Sequence, residues 1–309
     1  MRALVVSNMA ASRERPGRGV FVRDQVAALA RISDIEVELF EFHPGALAYP
    51  RAARTLRARF GGARLDIVHA HFGLTAWPAL ALRGPRHAVT LHGTDVRHPR
   101  SRLLTLAAAR HMDLVATVSE PLALELGAAF TPPVLVLPCG VALDRFRPIP
   151  RDAARLALGL ARDVPHLLFP ADPARPEKRF DRARELAGGV QLISLGATAP
   201  DHVTLAINAA NAVLVPSEAE GFGLAVIEAL ACDVPVLATP VGVHAEALAG
   251  IEGTLCAPYD RARWSAALAP LLADPDPRVA GRARASEYSS ELMAARVAQA
   301  WRTLLASDR

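Results

Sequence analysis

Glu220 and Glu228 stand eight positions apart in PSEAEGFGLAVIEALACDVPVLATP (Pro216 to Pro240), with Gly221, Phe222 and Gly223 between them. An ionised carboxylate only accepts hydrogen bonds, which suits it to hydroxyl-rich ligands. The two glycines let backbone approach a ligand with no Cβ in the way. AVLVPS reads as a strand and LAVIEALA, from Leu224, as a helix. The turn between them therefore sits where backbone N–H groups and the helix dipole favour an anion such as a phosphate. Glu220 is placed to accept from sugar hydroxyls and Glu228, less than two turns into the helix, from a ribose diol. A diphosphate held between two polyols has the shape of a nucleotide sugar. Acidic residues near a helix start are also common for dipole reasons alone, so the spacing by itself leaves a merely solvated helix end open.

The elements that must carry this turn are an alternation of short apolar runs and helical segments. ALVVS, IEVELFEF, DIVHAH, HAVTLH, DLVATVS and VLVLP read as strands in the first half, and HLLFP, VQLIS, AVLVP and PVLAT in the second. Their runs are continuous rather than alternating, which indicates strands buried on both faces of parallel sheets covered by helices. PCGVALDRFRPIPRD, with three prolines, interrupts the pattern as a linker. The expected architecture is α/β, two doubly wound parallel-sheet domains over 1–147 and 148–288, with the cleft between them as the usual place for a ligand. A helix over 289–309 is expected to cross back to the first domain.

The 309 residues suit two domains. With 51% hydrophobic and 21% charged residues the chain is globular rather than disordered. The apolar run near the start, Ala3 to Val6, is too short for a leader, and no stretch is long enough to span a bilayer. Cys139, Cys232 and Cys256 are far apart and form no CxxC, so neither a disulfide framework nor a zinc site is indicated and a cytoplasmic setting is expected. Residues 1–150 carry 19 arginines against 12 acidic residues, net +7, while 151–309 carry 16 cations against 19 acids, net −3. The halves thus present different charge to partners. Arginine outnumbers lysine 34 to one, a bias that gives no ground for nucleic-acid binding and isolates Lys178.

The stretch from Pro216 onward closely resembles the signature of retaining glycosyltransferase family 4, whose members have the GT-B fold. DIVHAHFG, VTLHGTDV, VATVSEPLALEL, LPCGVALDRFRP and RPEKRFD are similar to further family segments, in the family's order. The resemblance implies a nucleotide-diphosphate-sugar donor, retention of anomeric configuration, and no metal or other cofactor. It implies that Glu220 and Glu228 contact donor sugar and ribose, with Gly221, Phe222, Gly223 and Leu224 in the donor-binding turn. Lys178 matches the lysine that neutralises the diphosphate, His92 in LHGTD the histidine facing the reacting sugar, and Gly17 and Gly19 the glycine loop over the donor phosphates. His92, Lys178 and Glu220 are thus the expected catalytic residues. The family's Gly-Arg pair is replaced by Asp172 and Pro173, with Arg175 the nearest substitute. Cys139 stands where Asn is commoner and Asp233 where Gly is commoner.

Other constellations carry less. His69 and His71 project to one face of a strand and, with His92, form an imaginable metal site, but no carboxylate or cysteine completes the set. DPD at 274–276 suits a helix-capping turn. No GxGxxG follows the first strand, against a dinucleotide oxidoreductase. Arg51, Arg54, Arg57, Arg59 and Arg64 lie near Leu56 and Phe60, either a basic amphipathic helix on the anionic inner face of a membrane or a solvated helix face. The expected activity is hexosyl transfer to a lipid-linked, polysaccharide or small-molecule acceptor. The alternatives are a sugar-nucleotide epimerase and a non-catalytic nucleotide-sugar-binding protein.

Overall fold

The computed structural model describes residues 1–127, 130, 133–196 and 198–307, so the last two residues of the expected tail helix lie outside the described residues. Contacts divide the chain into two compact units, one of residues 1–12, 18–140 and 290–309 and the other of 13–17 and 141–289.

In the first unit six strands form one all-parallel sheet: β1 (Arg2–Ser7), β2 (Glu36–Glu41), β3 (Ile67–His71), β4 (Arg86–Leu91), β5 (Leu114–Thr117) and β6 (Val134–Val136), in the order 2-1-3-4-5-6. Helices cover both faces of the central strands, which is why β3 is buried at every residue, its two histidines included. Helix Val20–Leu29 packs with helix Ser290–Ala306, and Val5, Leu29, Met293, Val297 and Trp301 share one core.

The second unit repeats the winding with β7 (His166–Phe169), β8 (Gln191–Ser194), β9 (Ala212–Val215), β10 (Val236–Ala238) and β11 (Leu255–Cys256), in the order 11-10-9-7-8 and again all parallel. Leu167, Phe169, Leu214, Leu237 and Trp264 form its core. The proline-rich linker from Val141 onward belongs here. Arg282 donates to the carbonyls of Leu143, Phe146 and Ala231, and Arg278 to those of Ile149 and Cys232. Asp233 takes the left-handed conformation (φ 54°) that its glycine-like position requires, and its Oδ1 accepts from the N–H groups of Gly281 and Arg282.

In each sheet the order reverses beside the first strand, so the connections after β1 and β3, and after β7 and β9, leave in opposite directions. The gap this opens at the carboxyl ends is the usual ligand position of such sheets. No helix among the described residues is long and apolar enough to cross a membrane.

Candidate functional site

The reversal point of the second sheet is built from two loops. After β7 the chain runs to a 3-10 turn, Pro176–Lys178, and into helix Phe180–Ala187; after β9 it runs through Glu220 into helix Leu224–Ala231. The Glu218 N–H donates to the Glu177 carbonyl at 2.9 Å. Arg179 is ion-paired to Asp181 and Glu218, and Arg182 reaches the Pro216 carbonyl at 3.2 Å. These bonds hold the loops together so that the Lys178 Nζ lies 2.6 Å from both oxygens of Glu220. The pair is largely buried, at 14% and 10% side-chain exposure. Ser217 Oγ also donates to Glu220 Oε1 at 2.8 Å. Burial pushes the Glu220 carboxyl upward, but Lys178, His244 and the Ser217 hydroxyl outweigh it and hold the group below the usual carboxylate range.

The helix beginning at Leu224 has no side-chain cap and no acid in its first turn. Its N-terminal backbone and dipole therefore favour an anion. Gly223, at φ 110°, occupies a conformation that L side chains avoid, and a Cβ there would stand 2.3 Å from His244 Nε2. His244 was not singled out from the sequence. It is fully buried, with Nδ1 2.9 Å from the Thr239 carbonyl, so Nδ1 carries the proton and Nε2 is a buried acceptor without a hydrogen bond. Burial lowers its pKa, with Glu220 opposing. The loop bearing His244 backs the glycine turn: Thr239 Oγ1 donates to the Ser217 carbonyl and the Val243 N–H to the Phe222 carbonyl. Tyr288, which donates to Glu246 at 2.6 Å, lies edge-on to the Phe222 ring. Phe222 is thus an anchor whose ring is buried, and only its backbone is available to a ligand in the turn.

Other expected donor-binding residues are placed less directly. Glu228 is partly buried on the helix, one turn beyond Leu224. Arg175 is exposed and paired with Glu177 at 2.7 Å. Asp172 accepts from the Ala174 N–H at 2.9 Å and so shapes its own loop.

In the first unit His92 follows β4. Asp95, almost wholly buried, accepts from the N–H groups of His92 (3.0 Å), Gly93 (2.8 Å) and Gly73 (3.1 Å), fixing the turn. Burial raises the Asp95 pKa against those three donors. The His92 ring lies among Phe72, Phe21 and His71, at centroid distances of 4.5, 5.0 and 5.1 Å. His71 Nδ1 is 3.0 Å from His92 Nε2, His71 Nε2 is 3.3 Å from Gln25 Nε2, and His69 bonds to Thr90 and Trp301. The three histidines are a hydrogen-bonded stack, and among the described residues no group of three ligating side chains is arranged to hold a metal ion. Gly19 caps helix Val20–Leu29 at φ 72°, where a Cβ would be 2.3 Å from the Met9 carbonyl oxygen. Gly17 has open space around it and clusters with the second unit, so the two glycines are not equivalent. On helix Ala48–Phe60 the apolar residues Ala52, Leu56 and Phe60 are buried. Arg57 is bonded to the Ala81 carbonyl and Arg59 lies over Phe40 and Phe60, yet these two stay exposed along with Arg51 and Arg54.

Known proteins share both halves of this arrangement. Residues 162–291 match the family described as Glycosyl transferases group 1, and residues 10–145 match Glycosyltransferase Family 4. A D-inositol 3-phosphate glycosyltransferase of Thermobispora bispora is 30% identical over 87% of this chain and 76% of its own length. The chain belongs to glycosyltransferase family 4. Against the like-named protein of Mycobacterium avium, 36% identical, the match takes in 48% of this family-4 chain and only 42% of that relative. Sucrose-phosphate synthase of Thermosynechococcus elongatus superposes with TM-score 0.76 at 22% identity, covering 99% of this chain and 100% of that one. Anabaena HepE in complex with UDP-glucose superposes with TM-score 0.70 at 17% identity, over 98% and 100%. These likenesses and the two parallel sheets make the fold GT-B.

Proposed function

We propose that this family-4 chain is a retaining glycosyltransferase that moves a sugar from a nucleotide-diphosphate donor to an acceptor hydroxyl without a metal ion. The observation that carries the reading is the Lys178–Glu220 pair at the reversal point of the second sheet, beside an uncapped helix N-terminus. Breaking the anomeric C–O bond puts negative charge on the departing diphosphate. Lys178 and the Leu224–Ala231 N-terminus are the groups that would stabilise it, and preorganised donors of this kind act most strongly where water is excluded. Without ligand, Lys178 and Glu220 neutralise each other. A diphosphate competing for the Lys178 ammonium would release the Glu220 oxygens to accept from sugar hydroxyls, so one exchange couples charge recognition to sugar recognition. The solved neighbour that holds UDP-glucose supports a nucleotide-sugar donor. The relatives' name puts a polyol phosphate first among acceptors to try.

A thermal melt with UDP, GDP, ADP and dTDP, each with and without EDTA, tests the donor site. One nucleotide at a hundredfold its Kd adds about 2.7 kcal/mol, a rise of roughly 5–10 °C for a unit of this size, and EDTA should not change it. No rise with any of the four overturns the reading. Product analysis then separates transfer, which yields free nucleoside diphosphate and a new glycoside, from epimerisation and from binding alone.

A further inference from the structure

The buried histidine stack on β3 does more than fill space, because its hydrogen bonds have a direction. Trp301 Nε1 is a donor only, so His69 Nδ1 accepts at 3.0 Å and His69 Nε2 carries the proton that Thr90 Oγ1 accepts at 2.8 Å. His71, fully buried and stacked on His69 at 5.1 Å, has both nitrogens engaged. The amide nitrogen of Gln25, itself 7% exposed, faces His71 Nε2 and donates to it. The His71 proton is then on Nδ1, pointing at His92 Nε2. His92 Nε2 accepts, which leaves its own proton on Nδ1. That nitrogen makes no hydrogen bond among the described residues, and His92 is only partly buried, so its Nδ1–H is left for a ligand.

We propose that His71 is a positioning residue for the transfer reaction: by donating to His92 Nε2 it fixes the His92 ring as the Nδ1-protonated tautomer, presenting a hydrogen-bond donor to a substrate oxygen. A neutral imidazole presents either a donor or an acceptor at a given nitrogen, and its other bond decides which. Burial supports the scheme, holding His69 at about 4, His92 at about 3 and His71 well below its ordinary range, so all three rings are neutral at working pH. The orientation is locked as well, since Phe72 and Phe21 pack against the same ring. The catalytic meaning rests on the transferase reading above; the tautomer does not.

Two variants and one spectrum test it. In His71→Asn the amide nitrogen takes the place of Nδ1 and still donates, whereas His71→Leu removes the donor and keeps an apolar side chain. The expected result is near-wild-type kcat for Asn and a fall of about 10–100-fold for Leu, as for lost supporting hydrogen bonds at other sites, with the donor KM little changed. Long-range proton–nitrogen NMR of the imidazole rings, assigned with His92→Gln, should show His92 protonated on Nδ1 in the wild type and as a mixture of tautomers in His71→Leu. Protonation on Nε2 in the wild type, an unchanged tautomer in His71→Leu, or equal kcat losses in both variants would each overturn the proposal. The spectrum needs no turnover, so a chain that consumes no donor would sink the transferase reading while the tautomer result still stands or falls by itself.

Discussion

Acidifying the protein from pH 7.5 to 5.5 should destabilise the first unit steeply, because three imidazoles there, His69 and His71 buried and His92 partly buried, must stay neutral while the unfolded chain takes up protons. His69 and His92 have folded values of about 4 and about 3, and His71 lies well below 6.5; burial is the leading cause for all three. A group whose folded pKa is depressed contributes stability above its unfolded pKa and loses it as pH falls toward the folded value. One unit below an unfolded pKa of 6.5, each imidazole that stays neutral in the fold costs about 1.4 kcal/mol, so the three together remove about 4 kcal/mol. That is a large part of the 5–15 kcal/mol typical of a domain. Asp95 works the other way, since its raised pKa lets the folded state take up a proton, and it offsets at most one of the three. Glu220 and Glu177, both held low, begin to lose their contribution only near the ordinary carboxylate range. The window between pH 6.5 and 5 therefore belongs to histidine. Urea titrations at half-unit pH steps, followed by tryptophan fluorescence with Trp77 and Trp301 reporting the first unit, give the slope of stability against pH. Near pH 5.5 it should lie between about two protons, with the full Asp95 offset, and about three without it, roughly 2.3–3.7 kcal/mol per pH unit. A slope below one proton, about 1.4 kcal/mol per unit, would mean that the rings are not buried neutral and would refute the hydrogen-bond directions drawn from them.

Two further outcomes follow from the second unit. Lys178→Ala should lower turnover by about 10²–10³-fold, as loss of one charge-stabilising donor does elsewhere, and abolish the nucleotide-induced rise in melting temperature; retained turnover would remove Lys178 from the site. Gly223→Ala should destabilise the unit by about 1–3 kcal/mol from its φ alone, and more from the collision with His244. Adding His244→Ala should relieve the collision and leave the φ cost, so the pair should be non-additive in a denaturation cycle, and strict additivity would show that the two residues do not touch.

The parallel strands were legible because burial on both faces leaves an unbroken apolar run, as in β1 and β9. β11 was not, since Leu255–Cys256 is two residues long and makes no run. The glutamate–glycine turn was legible as a motif, but its support was not. Thr239, Val243 and His244 reach it only because β10 pairs with β9, a long-range fact that no local pattern encodes. The family resemblance put Phe222 in the donor-binding turn; the Tyr288 ring that its side chain meets comes from 66 positions further on. The His69–His71 alternation was visible as one face of a strand. That it is a hydrogen-bonded stack depends on Gln25, Thr90 and Trp301, and Trp301 lies 232 positions from His69. Gly17 and Gly19 could not be told apart until the fold set the Met9 carbonyl against Gly19, at φ 72°, and left open space around Gly17.

Trp301 also bears on the order in which this protein can fold as it leaves the ribosome. Synthesis delivers the first unit's strands early, yet the helix that completes their core, Ser290–Ala306, emerges only after the whole of 141–289. Until then His69 lacks its indole partner and the face later covered by Met293 and Val297 is open. The second unit, contiguous from 141 except for five residues, has nearly all of its own sheet available sooner. The nascent first unit must therefore persist as an unfinished sheet while about 150 residues are made, a period in which exposed apolar surface is an aggregation hazard and a binding site for chaperones.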